Sequence, residues 1–127
     1  MNGDMLDTNV IIKFLAGDEI AKQLLGRASD ISVSVIVVGE LQYGAQKSSR
    51  TESNLALFSS FLSSFAIIPI DEKIAAVYGE VKEQLRANGI NIPENDVWIA
   101  ATAKSRQCRL ITFDAHFKSV NGIDVVS

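Results

Sequence analysis

Short apolar runs alternate with segments of helical periodicity from one end of the chain to the other, and this alternation limits the possible folds more than any other feature. Met5, Leu6 and Asp7 read as the end of a short buried strand, followed by a helix over about 8–15 that stops at Gly17. A second helix is expected over about 18–25 and a second strand over about 31–33, after which Ser34 can cap a helix through VIVVGELQYGA. The next helix spans about 52–65. Its side chains Leu55, Phe58, Leu62 and Phe65 form one apolar stripe, and Leu57 with Phe61 forms another, so two faces call for burial and one is available to a partner. A strand follows over about 66–70. Asp71 then starts the clearest helix, with Ile74, Val77, Tyr78, Val81 and Leu85 on one side, ended by Asn88-Gly89. The remaining elements are a helix over about 94–105, a strand at 109–112, a short turn of helix from Asp114 and a last strand near 123–126. Such an order implies an α/β fold with a mainly parallel central sheet of about five strands and helices on both faces.

The 127 residues suffice for one domain, 1–127, and not for two of ordinary size. Hydrophobic residues at 47% and charged residues at 21% exclude a disordered chain. No apolar run approaches the roughly 20 residues that cross a bilayer, and MNGDMLDTN lacks the layout of a signal peptide. A cytoplasmic protein without a membrane partner is the expectation. The single cysteine, Cys108, has no intramolecular partner for a disulfide and no neighbouring zinc-ligand spacing, and reads as a small buried residue. The net charge of −3 does not draw the chain onto a polyanion, so any action on nucleic acid needs a local patch or bound cations.

In parallel α/β sheets, sites form beyond the carboxyl ends of the strands. Asp7 and Asp114 follow strands, and Asp96 begins the helix before the fourth strand. Glu40 lies inside an apolar helix with no Lys or Arg at i±3 or i±4, so its partner must come from elsewhere in the fold or from a metal. Four converging carboxylates without cations would repel one another and hold protons at neutral pH. Such a set of hard oxygen ligands suits Mg²⁺ or Mn²⁺, one or two ions per site. A pair of ions about 4 Å apart can activate a water and stabilise the leaving oxygen of a phosphodiester. Acid/base cleavage by two histidines is excluded, since His116 is the only one. Serine and cysteine nucleophiles lack a histidine relay.

MLDTNVIIKFL, SVIVVGELQYGA, NDVWIAATA and LITFDAHF resemble, in order and over nearly the whole chain, the successive motifs of PIN-domain nucleases, and of VapC-like toxins of type II toxin–antitoxin systems in particular. The resemblance implies a PIN-like three-layer α/β/α fold. It carries the family's catalytic and metal-holding acids onto Asp7, Glu40, Asp96 and Asp114, and supporting polar positions onto Asn9 and Thr112. Where many relatives have a further acid two places after the last aspartate, this chain has His116, which leaves the contribution of that position open. The resemblance further implies a metal-dependent endoribonuclease that leaves 5′-phosphate and 3′-hydroxyl ends, works as a homodimer on RNA and is neutralised by a cognate antitoxin. An antitoxin segment is expected near Leu57 and Phe61, with an arginine set into the acids.

Blander readings stand beside these. Asp7, Asp96 and Asp114 can each serve as a helix N-cap; Glu40 cannot. Trp98, Val97, Ala100 and Ala101 follow the helical period and read as core, and His116 as a surface or capping histidine. Lys13, Lys47, Arg50, Lys104 and Arg106 are candidate phosphate contacts that solvation alone explains. Rival functions are a protein-interaction module on an inert PIN-like fold and another divalent-metal phosphoryl-transfer enzyme. Haloacid-dehalogenase and receiver chemistry is disfavoured, because Asn9 stands where the first needs an aspartate and Thr112-Phe113 where the second needs a lysine.

Overall fold

The computed structural model describes residues 3–127. Five three-residue strands form one sheet: β1 (Asp4–Leu6), β2 (Ser32–Ser34), β3 (Ala66–Ile68), β4 (Arg109–Ile111) and β5 (Asp124–Val126). Their spatial order is β3-β2-β1-β4-β5, and every pairing is parallel. The helices that make the crossovers are α1 (Thr8–Leu15), α2 (Glu19–Arg27), α3 (Val35–Gln46), α4 (Thr51–Leu62), α5 (Glu72–Ala87) and α6 (Glu94–Arg106), with a 3-10 turn at Ala115–Ser119. Together they make the three layers expected, with a sheet wholly rather than mainly parallel.

Strand β1 is central because its short run is buried on both sides: Met5 and Leu6 have no exposure, like Val33 and Leu110 beside them. Each such side chain contributes about 1.5–3 kcal/mol by leaving water. The chain builds outward from β1 to β2 and β3, then crosses to β4 and β5 on the other side. The direction of winding therefore reverses between β1 and β4, where α/β sheets leave a crevice at the carboxyl ends of their strands.

Helix starts follow side-chain chemistry. Asp18 accepts from the Ala21 amide, Ser34 from Ile36 and Asp71 from Ile74, each relieving an unpaired donor of the first turn. Along α5, Ile74, Val81 and Leu85 are buried as the periodicity predicts, whereas Val77 and Tyr78 are half-buried. Two expectations shift. Strand β2 starts one residue later than its apolar pattern suggests, because Ser32 and Ser34 are buried polar residues within it. Helix α4 ends at Leu62, and none of its residues is fully buried. It packs on α3 beside the edge strand β3, where Ile67 remains 40% exposed.

Candidate active site

The four acids lie at the crevice, each brought there by a different element. The Asp7 amide donates to the Ile111 carbonyl, which keeps the chain after β1 in register with the end of β4. Asp7 is 3% exposed and caps α1 by accepting from the Thr8 amide at 2.8 Å. Its other oxygen accepts from the Thr112 hydroxyl at 2.7 Å. That same hydroxyl oxygen accepts from the Asp114 amide at 3.0 Å, so one threonine fixes both aspartates. Asn9, on the first turn of α1, accepts from the Phe113 amide at 3.2 Å and holds the loop between them. Thr112 thus touches Asp7 directly and the backbone of Asp114, whereas Asn9 touches only the backbone between them.

Glu40 projects from α3 into this region, half-buried. Its partners come from the two elements that carry Asp7 and Asp96: the Thr8 hydroxyl donates at 2.5 Å and the Asn95 amide at 3.3 Å. Neither was singled out from the sequence. Each is the immediate neighbour of a site aspartate at a helix start, which is the signal that could have found it. Asp96 is buried in the first turn of α6, one turn in from Pro93, and is therefore no N-cap; its contact is with His116, Nε2 to Oδ2 at 2.7 Å. Asp114 precedes the 3-10 turn without capping it and is exposed. The cap reading therefore holds for Asp7 alone.

His116 departs from the expectation of a surface or capping residue. Its ring packs against the buried Phe117 with centroids 4.9 Å apart, and ligand-capable atoms of Asp96, Asp114 and His116 all lie within 4.8 Å of one another. Trp98 also departs from a plain core role: it is half-buried and stacks on Tyr78 with centroids 3.9 Å apart, while Val97, Ala100 and Ala101 are core.

The electrostatics of the cluster are set by burial, with His116 as the basic side chain in contact and no lysine or arginine paired to the acids among the described residues. Asp7 is pushed up to about 6, chiefly by desolvation, with Asp96 and Glu40 adding to the rise and the bonds from Thr112 and Thr8 opposing it. Asp96 is raised as well, first by desolvation; its contact with His116 works against that, and the charges of Glu40 and Asp114 add to it. Among the described residues the lysine and arginine ion pairs fall elsewhere, on Glu19, Glu94, Glu83 and Asp4, and none reaches the four acids. Beside Glu40 opens a groove of about 720 Å³, lined by Thr8, Ile12, Tyr43, Lys47 and Asn95 among others. Tyr43 is 66% exposed there, with the Lys47 ammonium 5.1 Å from its ring centre.

The crevice brings four acids together on an all-parallel sheet with no lysine or arginine paired to them among the described residues, and comparison with known proteins shows the family to which such a site belongs. The model of the PIN domain matches residues 5–123. The chain belongs to the PIN-domain family. Among its relatives, ribonuclease VapC2 of Haemophilus influenzae is 40% identical over 110 residues, covering 85% of this chain and 83% of that protein. The tRNA(fMet)-specific endonuclease VapC of Salmonella typhimurium is 31% identical over 124 residues, 95% of this chain and 94% of the relative. The crystal structure of DNA-bound VapBC from Salmonella typhimurium superposes with a TM-score of 0.90 at 30% identity, over 99% of this chain and 98% of that one. These likenesses place this PIN domain with the VapC ribonuclease toxins of VapBC toxin–antitoxin systems. No helix among the described residues is long and apolar enough to cross a membrane.

Proposed function

We propose that this PIN domain is a Mg²⁺- or Mn²⁺-dependent endoribonuclease of the cytoplasm, the toxin of a toxin–antitoxin pair, and that Asp7, Glu40, Asp96 and Asp114 hold one or two ions at its catalytic centre. The observation that supports this reading is the burial of Asp7 beside three further acids, with no lysine or arginine paired to them among the described residues, its carboxyl pushed up to about 6 chiefly by desolvation. The donor set fits a hard divalent ion. Carboxylate oxygens predominate, their positions are braced by Thr8, Thr112 and Asn95, and ligand atoms of Asp96, Asp114 and His116 are already within 4.8 Å of one another.

When bound, the ion supplies activation of water and charge stabilisation at the phosphodiester under attack. The chain's own groups do the rest. Asp7, Glu40, Asp96 and Asp114 hold and orient the metal, and Thr112 and Asn9 keep Asp7 and the Asp114 loop from drifting apart. The groove past Glu40 accepts the RNA strand, with the exposed Tyr43 ring as a stacking surface and Lys47 as a phosphate contact, which offsets locally the net charge of −3. A homodimer is the assembly we assign. An antitoxin segment would cover the apolar side of α4, where Leu57 is 45% exposed, and set an arginine against the acids.

Incubation of the purified chain with total RNA tests the reading. Cleavage that needs Mg²⁺ or Mn²⁺, stops with a chelator and leaves 5′-phosphate and 3′-hydroxyl ends is expected, and sequencing of the ends identifies the target. Cleavage that continues in excess chelator, or none in any RNA pool with either metal, would overturn it.

A further inference from the structure

We infer that His116 supplies an imidazole nitrogen to the cation held by Asp96 and Asp114, so that this site takes Mn²⁺ in preference to Mg²⁺. The inference rests on the reading of the four acids as a metal centre and assigns a further ligand to it. Three observations carry it.

The first is spacing. In an octahedral shell with bonds of roughly 2.1 Å, adjacent ligand atoms are about 3 Å apart and opposite ones about 4.2 Å. His116 Nε2 stands 2.7 Å from Asp96 Oδ2, close to one edge of such a shell, and ligand atoms of all three residues lie within 4.8 Å of one another, near the reach of one ion. The second is anchorage. The turn that carries His116 is fixed at both ends: the Asp114 amide is tied to Thr112, and Phe117, with no exposure, is buried beneath the imidazole. The ring is therefore oriented, yet its side chain keeps 34% exposure. The third is charge. Four carboxylates already meet at the crevice, so a fifth would add repulsion, whereas an imidazole adds a donor atom and no negative charge.

The preference follows from ligand chemistry. Mg²⁺ takes oxygen almost exclusively, and Mn²⁺ and later divalent ions accept imidazole nitrogen more readily. In the ligating form the proton sits on Nδ1 and the Nε2 lone pair faces the ion, so the contact between His116 and Asp96 is exchanged for two bonds to the metal.

Because His116 is the only histidine in the chain, untagged protein gives an unambiguous readout. Pulsed electron paramagnetic resonance of the Mn²⁺-loaded protein is expected to show imidazole-nitrogen modulation that is lost in His116→Ala. Calorimetry should show the Mn²⁺ affinity of His116→Ala falling by about tenfold or more, with a smaller loss for Mg²⁺. His116→Gln keeps a hydrogen-bond donor toward Asp96; it should not restore the Mn²⁺ preference. Mn²⁺ binding without nitrogen modulation, or full rescue by His116→Gln, would show that His116 merely positions Asp96 and would overturn the inference, leaving the nuclease reading intact. Absence of any Mn²⁺ or Mg²⁺ binding by the wild-type protein would overturn both.

Discussion

Asp4 and Asp7 stand three residues apart at the two ends of β1, both nearly or fully buried, and the chain treats them in opposite ways. Asp4 has no exposure and is gripped by both nitrogens of a guanidinium fork, Arg109 Nε at 2.7 Å and Nη2 at 3.0 Å, with the Ser29 amide donating at 2.9 Å. The neighbouring backbone is shaped for that contact: Gly3 has φ +82, and a Cβ there would meet the Asp30 carbonyl at 2.4 Å. Asp7, by contrast, has one amide, one hydroxyl and two acidic neighbours. A carboxylate neutralised within the chain holds the amino ends of the strands together. A carboxylate left without a cation at the carboxyl ends costs stability, and we propose it as the place for an external one.

The largest effect that can break this comparison is on activity. Asp7→Asn should lower metal-dependent RNA cleavage by more than about 100-fold, since even groups that only brace a ligand are worth about 10–100-fold. Its metal-free fold should be sturdier, not weaker. Between about pH 4 and 6 the folded chain keeps a proton on Asp7 that the unfolded chain, at 3.8, has already released, so stability falls as pH rises through that window. Ionised Asp7 therefore costs the metal-free fold about 3 kcal/mol above pH 6, and urea midpoints of Asp7→Asn should lose this slope. An unchanged slope would remove Asp7 as its source.

Asp4→Asn should do the reverse: cleavage within a few fold of wild type, and a loss of about 1–3 kcal/mol in urea titrations, from donors left without their charged acceptor. A large fall in activity at unchanged stability would erase the distinction between the two ends. The smallest effect is expected at the brace. Thr112→Val removes the hydroxyl shared by Asp7 and the Asp114 amide and should weaken Mn²⁺ binding by about tenfold, with recovery in Thr112→Ser. Failure of serine to restore binding would assign the loss to packing.

How far this was readable in the sequence depends on whether local chemistry or a distant partner decides a residue's role. The start of α1 after Asp7 and of α5 after Asp71 was plain, because a cap and a helical period act within a few residues. The parallel sheet follows from the alternation of elements, and the resemblance to PIN-domain motifs names four acids that the fold brings into one another's electrostatic reach. Strand β2 was misplaced by one residue because its buried serines carry no apolar signal. The two apolar stripes of α4 call for burial, yet none of its residues is fully buried and Leu57 stays 45% exposed, a property of its packing at the sheet edge. Asp96 looked like a cap from its place near a helix start and turned out to lie within the first turn, facing His116. Adjacency to a motif aspartate marks Thr8 and Asn95, but their contacts, like that of His116, span 32, 55 and 20 positions of chain and depend on the fold.

The sharpest trial of a cation-dependent acid cluster is the melting temperature of the wild-type protein and of Asp96→Asn with and without saturating Mn²⁺. Without metal the variant should melt at or above the wild type, because one raised, buried acid is gone. With metal the wild type should gain several degrees by mass action and the variant far less. Equal metal-induced shifts in the two proteins, or a variant that melts well below the wild type before any metal is added, would contradict a crevice built to be completed by divalent ions.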